Sequence, residues 1–146
     1  MTHSELTFFN SLSGRLEIEL TSPAEQVGNL DNVRSNSGTE IKSIKLVAEV
    51  FDQGSETFRD LTNEEVQSVA FRARSIMLRG EGGTAVTHHA ANGEFFTVQE
   101  LLDAVVVTEK QSRGSSEWLG GIDVHHVYFE GIQQDAAGVW EIHWGS

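Results

Sequence analysis

The sequence predicts an α+β fold: a two-layer sandwich with a mainly antiparallel sheet, element order β-β-α-α-β-β, and two helices packed on one face. Three observations predict it. Two segments in the first third alternate apolar and polar residues, the period-2 mark of half-buried strands. Two segments in the middle open on capping boxes and then carry apolar residues at helical spacing. The last third returns to alternation, broken by a turn-like hexapeptide. Such a pattern fits one layer of sheet and one of helix around a shared core. At 146 residues the chain fits a single domain, 1–146, and can bury a core without metal or disulfide staples.

The first strand is Arg15-Leu-Glu-Ile-Glu-Leu20, with Leu16, Ile18 and Leu20 on one face and Arg15, Glu17 and Glu19 on the other. The second covers 42–51, with Ile44, Leu46, Ala48 and Val50 on its apolar face. A further short element is expected at 4–9, Ser-Glu-Leu-Thr-Phe-Phe. Residues 21–40 hold the only proline and are rich in Asn, Ser and Gly, so they read as a mobile loop.

Thr62-Asn-Glu-Glu65 is a capping box, flanked by Leu61 and Val66 at the staple positions. Val66, Val69, Ala70, Ala73, Ile76 and Met77 then predict a helix that Gly80 closes. Arg79-Gly-Glu-Gly-Gly83 reads as a helix stop and flexible linker. It follows a helix C-terminus and lacks the Walker Lys-Ser/Thr, so it is no phosphate cradle. Thr97-Val-Gln-Glu100 opens a second helix, with Phe96 and Leu101 as staple and Leu101, Leu102, Val105 and Val106 on its apolar face. That helix is expected to fray near Ser112-Arg113-Gly114.

Residues 122–132 and 139–144 read as a hairpin around Gln-Gln-Asp-Ala-Ala-Gly. Setting 133 opposite 138 places Phe129 against Ile142, Val127 against Trp144 and Gly131 against Trp140 on an apolar face. The other face then gathers His126, Tyr128, Glu130, Glu141 and His143, with Tyr128 opposite His143 and Glu130 opposite Glu141. His125 falls on the apolar face, a structural position, and Asp123 beside it could fix its tautomer.

The bulk composition excludes several functions. The chain has no cysteine, which excludes disulfides and thiolate chemistry. Its net charge of −12 opposes binding to nucleic acid and anionic membranes, and favours solubility, with a basic protein partner or a cation as the other readings. No apolar run is long enough to span a bilayer, and the N-terminus lacks the features of a signal peptide, so a cytoplasmic location is expected. Arg72, Arg74 and Arg79 are close in sequence and could form a local basic pocket.

His126, Tyr128, Glu130 and His143 are the candidate catalytic residues, because His, Tyr and carboxylates exchange protons when their surroundings tune them. The competing reading is the solvated polar face of a half-buried sheet. His88, His89, Trp118 and Glu141 are candidate ligand-binding residues: the two histidines in a loop between glycines, the indole for stacking a ring. No cofactor or metal is expected: the zinc hydrolase and deaminase motifs are absent, and so is the nucleophile elbow of a serine triad.

Two functions remain. One is a small acidic binding or inhibitor-type module that docks a protein or small ligand without catalysis. The other is a small enzyme using the hairpin's His/Tyr/Glu cluster for acid–base chemistry, with or without a divalent metal. A C-terminal strand at a sheet edge would offer a route to a homo-oligomer.

Overall fold

The computed structural model describes residues 4–20, 41–114 and 124–146. These residues form a mixed α/β arrangement, mostly strands, with three helices among them and a mainly antiparallel sheet. Helix α1 (Ser4–Asn10) precedes strands β1 (Ser13–Leu20), β2 (Ile41–Asp52) and β3 (Thr57–Asp60). A short α2 (Asn63–Gln67) leads to β4 (Val69–Phe71), β5 (Ser75–Arg79), β6 (Ala85–His89) and β7 (Phe96–Thr97). Helix α3 (Val98–Gly114) and strands β8 (Tyr128–Gln134) and β9 (Trp140–Gly145) follow. Seven strands form one sheet in the order β3-β2-β1-β8-β9-β5-β6, and β4 pairs with β7 separately. All pairings are antiparallel except β5 with β9.

The alternating segments form β1 and β2, which pair from Ser13↔Glu49 to Ile18↔Ile44 and bury Leu16. Both capping boxes form. Glu65 N donates to Thr62 Oγ1 at 3.1 Å and Thr62 N to Glu65 Oε1 at 2.8 Å; the matching bonds at Thr97 and Glu100 measure 3.1 and 2.9 Å. Helix α3 lies against β2, β5 and β6, and α1 against β4 and β8. Phe9, Leu78, Leu101 and Val105 are fully enclosed between them. Burying side chains of this size contributes about 1.5–3 kcal/mol each.

The expected helix to Gly80 is wrong beyond its first turn. Ser68 already has extended backbone, φ −72° and ψ 157°. The helical tally passed over Phe71 and Leu78, which are both buried. In β5 Ile76 and Leu78 point inward while Ser75 and Met77 are exposed, a period of two. Two strands, β4 and β5, therefore stand where the rest of one long helix was expected, and β6 and β7 follow before α3. Residues 4–9 are helical, and the proposed loop at 21–40 lies outside the described residues.

The hairpin also differs from expectation. Phe129 pairs with Trp144, but Ile132 with Ile142 and Gln134 with Trp140, so the register slips between 129 and 132. This is a bulge at Glu130 and Gly131, where Gly131 takes φ +94°. The bulge turns both Phe129 and Ile132 into the core. Glu130 does not face Glu141, which lies opposite Gln133. Strand β9 is no edge either: β8 and β5 flank it, and the sheet ends on β3 and β6. His125 is exposed ahead of β8 rather than packed with Phe129, and Asp123 lies outside the described residues.

Candidate functional site

Among the described residues, strand alternation leaves the sheet face opposite α3 uncovered. Three rows of paired residues cross it. Phe58 pairs with Phe51; Asp60 with Glu49 and Glu49 with Ser13; Val47 with Arg15 and Arg15 with Tyr128. The Phe51 and Phe58 rings meet edge to face, centroids 5.3 Å apart. Val47, Phe51, Phe58 and Tyr128 remain 40, 47, 52 and 51% exposed. Single exposed apolar side chains need no explanation; here two touch, and two more stand on the same face.

Ser13 is short and its neighbours are long, so a hollow of about 380 Å³ opens between them. Ser13, Gly14, Arg15, Val47, Glu49, Phe58 and Tyr128 line it. The charges beside it are unevenly satisfied. Arg15 Nη2 donates to Glu17 Oε2 at 2.6 Å, and Lys45 Nζ lies 3.3 Å from Glu17 Oε1. These bonds, Arg15's first, hold the Glu17 carboxyl below its ordinary value. Glu49 and Asp60 form no ion pair with any described residue, although they stand directly opposite each other.

Of the hairpin's candidate residues, Tyr128, Glu130, Glu141 and His143 are spread along the same face. Tyr128 belongs to the hollow, and Glu130 lies over Gly145, where an added Cβ would collide with its carboxylate. Glu141 is bound by Arg79, whose Nη1 donates to Glu141 Oε1 at 2.9 Å and Asp135 Oδ2 at 3.0 Å. His143 keeps a buried Nε2 with no hydrogen-bond partner among the described residues. His126 precedes β8, with Nδ1 3.9 Å from Glu81 Oε1 on the β5–β6 turn. Tyr128 faces Gly145 rather than His143. Arg72 pairs with Glu5, whereas Asp135 and Glu141 hold Arg79, so these two arginines serve different acids.

His88 and His89 lie in strand β6, not in a loop, beside a shallower hollow of about 260 Å³ that also involves Phe96, Glu100 and Asp103. The Thr108 hydroxyl donates to Ala104 O at 2.8 Å and meets His88 Nε2 at 2.7 Å. Its one proton is thus committed, so His88 Nε2 must carry the proton between them. Burial first, then neighbouring His89, lowers the His88 pKa. Trp118 lies outside the described residues. No cluster of three metal-ligating side chains occurs among the described residues, and none of the described helices is long and apolar enough to cross a membrane.

The C-terminal end of α3 is a buried polar clamp. Glu109 and Arg113 are 0% and 1% exposed, and Arg113 Nε donates to Glu109 Oε1 at 2.5 Å. Glu81 N donates to both carboxylate oxygens, Ser112 Oγ donates to Glu81 O, and Thr84 N donates to Ser112 Oγ. An Arg113 Nη2 donates to His126 O, and its guanidinium lies 5.2 Å from the Trp144 ring centre. Burial pushes the Glu109 pKa up, against the pull of Arg113, Trp144 and Glu81 N. The Trp144 Nε1 has no partner at hydrogen-bond geometry, so its effect on Glu109 is that of a nearby dipole. The expected fraying at 112–113 and flexible linker at 79–83 are both replaced by this clamp. Gly80 serves close approach: a Cβ there would sit 2.7 Å from Glu109 Oε2.

The residues that the sequence reading passed over are Ser13, Arg15, Val47, Glu49 and Phe58. One signal was present. On the polar face of β2, Ser43, Lys45, Val47, Glu49 and Phe51 include two apolar residues where solvent-facing ones were expected. The chain matches no protein-family model, no curated protein and no solved structure.

Proposed function

We propose that this chain is a small acidic binding module of the inhibitor type, which docks a protein partner through the open face of its sheet without catalysis. One observation carries the reading: the exposed, touching Phe51 and Phe58 on one side of the Ser13 hollow, with exposed Val47 and Tyr128 on the other. Aromatic side chains supply large contact area with little rotamer freedom to lose, and they dominate docking energies. The packing of α3 across the sheet supports a two-layer α+β scaffold that keeps this face rigid. The net charge of −12 favours encounter with a basic partner.

A photo-crosslinking amino acid placed at Phe51 tests the reading in extract of the source cells, with the same probe at Lys110 on α3 as control. A discrete adduct from position 51 alone supports docking through the sheet. Equal adducts from both positions, or none from 51, would remove it.

A second reading, an acid–base enzyme, draws on the buried and unpartnered His143 Nε2. The neighbouring candidate acids are committed or displaced, so the first reading is preferred.

A further inference from the structure

We infer that the hollow over Ser13 receives a basic side chain, arginine or lysine, from the docked partner. This rests on docking through the open sheet face and specifies what enters it. Three features converge. The first is shape: the hollow of about 380 Å³ can hold one long side chain above a floor of short residues. The second is its wall. Val47, Phe58 and Tyr128 offer apolar and aromatic surface, on which the methylene stem of Arg or Lys packs while its cation lies over a ring face.

The third is charge. Glu49 stands at the hollow and Asp60 directly opposite it across β2 and β3. Paired positions in an antiparallel sheet hold their Cβ atoms roughly 4.5–5.5 Å apart, and like charges there repel. The cations nearby are turned to other acids. Arg15, although it lines the hollow, donates to Glu17, one row away on the side opposite Ser13; Lys45 also reaches Glu17. Arg59 binds Glu65 through both terminal nitrogens, at 2.8 and 3.0 Å, and offers Asp60 only a bond to its backbone carbonyl. A cation arriving from outside would relieve the Glu49–Asp60 repulsion, which no described side chain does. An acidic or neutral polar side chain would find no such complement.

The test is an amide NMR titration of the intact chain with a Gly-Arg-Gly peptide and with its neutral counterpart, Gly-citrulline-Gly. The arginine peptide is expected to give saturable shifts at Ser13, Gly14, Val47 and Phe58, at least fivefold weaker with citrulline. The doubly substituted E49Q/D60N chain should lose at least fivefold in affinity. Equal binding of the two peptides, shifts centred elsewhere, or no shift at millimolar peptide each overturns the inference. The crosslink at position 51 then reports separately on docking: an adduct that survives without arginine preference leaves the face in use and removes only its basic occupant.

Discussion

The Asn10 side chain clamps the backbone of Ile132 like an extra strand. Its Nδ2 donates to Ile132 O at 3.1 Å, and its Oδ1 accepts from Ile132 N at 2.9 Å. The bond joins α1 to the point where β8 bulges, across 122 residues of sequence. An amide carries both a donor and an acceptor in the spacing of a peptide group, so Asn suits this place and Asp does not.

Asn10→Ala should therefore destabilise the fold by about 1–2 kcal/mol, the usual cost of losing paired hydrogen bonds at a partly covered site. Gly131→Ala should act on the same joint. Its φ of +94° disfavours a side chain, and a Cβ would press on Asn10 Oδ1 at 3.0 Å. Urea unfolding of both single variants and the double variant checks this. The double should cost less than the sum of the singles, because each breaks the same contact.

Arg113→Met should cost about 3–5 kcal/mol, since it strands the Glu109 carboxylate in the core without its cation. The double variant Arg113→Met, Glu109→Leu should recover much of that loss, because no buried charge remains. A double variant as unstable as Arg113→Met in urea would show that the clamp acts through shape or the Glu81 amide bond instead.

Glu65 sets an acid limit. Hydrogen bonds from Arg59, then from the Thr62 amide, lower its pKa from 4.5 to about 2. The unfolded chain takes up a proton at Glu65 before the folded one does. Its contribution is therefore complete above pH 4.5 and is lost as the pH falls toward 2. Urea midpoints measured across that window should fall less steeply for Glu65→Gln than for the parent chain.

His88 has the same sign for a different reason. Burial lowers its pKa below the ordinary 6.5, so the unfolded chain protonates first and stability declines as the pH drops below that value. Nitrogen-detected NMR should show the Nε2–H tautomer at neutral pH. Thr108→Val should release that tautomer preference; a spectrum unchanged by the substitution would refute the assigned proton.

Tyr128→Ser should leave stability within about 0.5 kcal/mol, because the ring is half exposed. The same change should weaken crosslinking at position 51 at least threefold. Thermal unfolding and adduct yield, measured on one preparation, separate the two effects.

Local chemistry was legible and distant chemistry was not. Thr62 with Glu65, and Thr97 with Glu100, announce their helix starts because every partner lies within one turn. Leu16 and Ile44 show their faces by simple alternation. The β5 strand was hidden because Ile76 and Met77 also satisfy a helical count, and Leu78 decides between the periods. The hairpin register depended on Gly131 and on Asn10 from far upstream, so pattern matching within the hairpin could not find it. The outer face was half legible: Tyr128, Glu130, Glu141 and His143 do share a side, but Phe58 reaches the hollow only through β2–β3 pairing.

The parallel seam between β5 and β9 has a consequence for synthesis. Leu78 and Arg79 meet Trp140 and Glu141 there, while β9 also carries the whole pairing to β8. Without residues 140–145 the large sheet falls into two unconnected pieces, β3-β2-β1-β8 and β5-β6. On the ribosome, these pieces keep bare edges until β9 has emerged and pairs between them. A chain stalled before that point exposes two strand edges that can template aggregation.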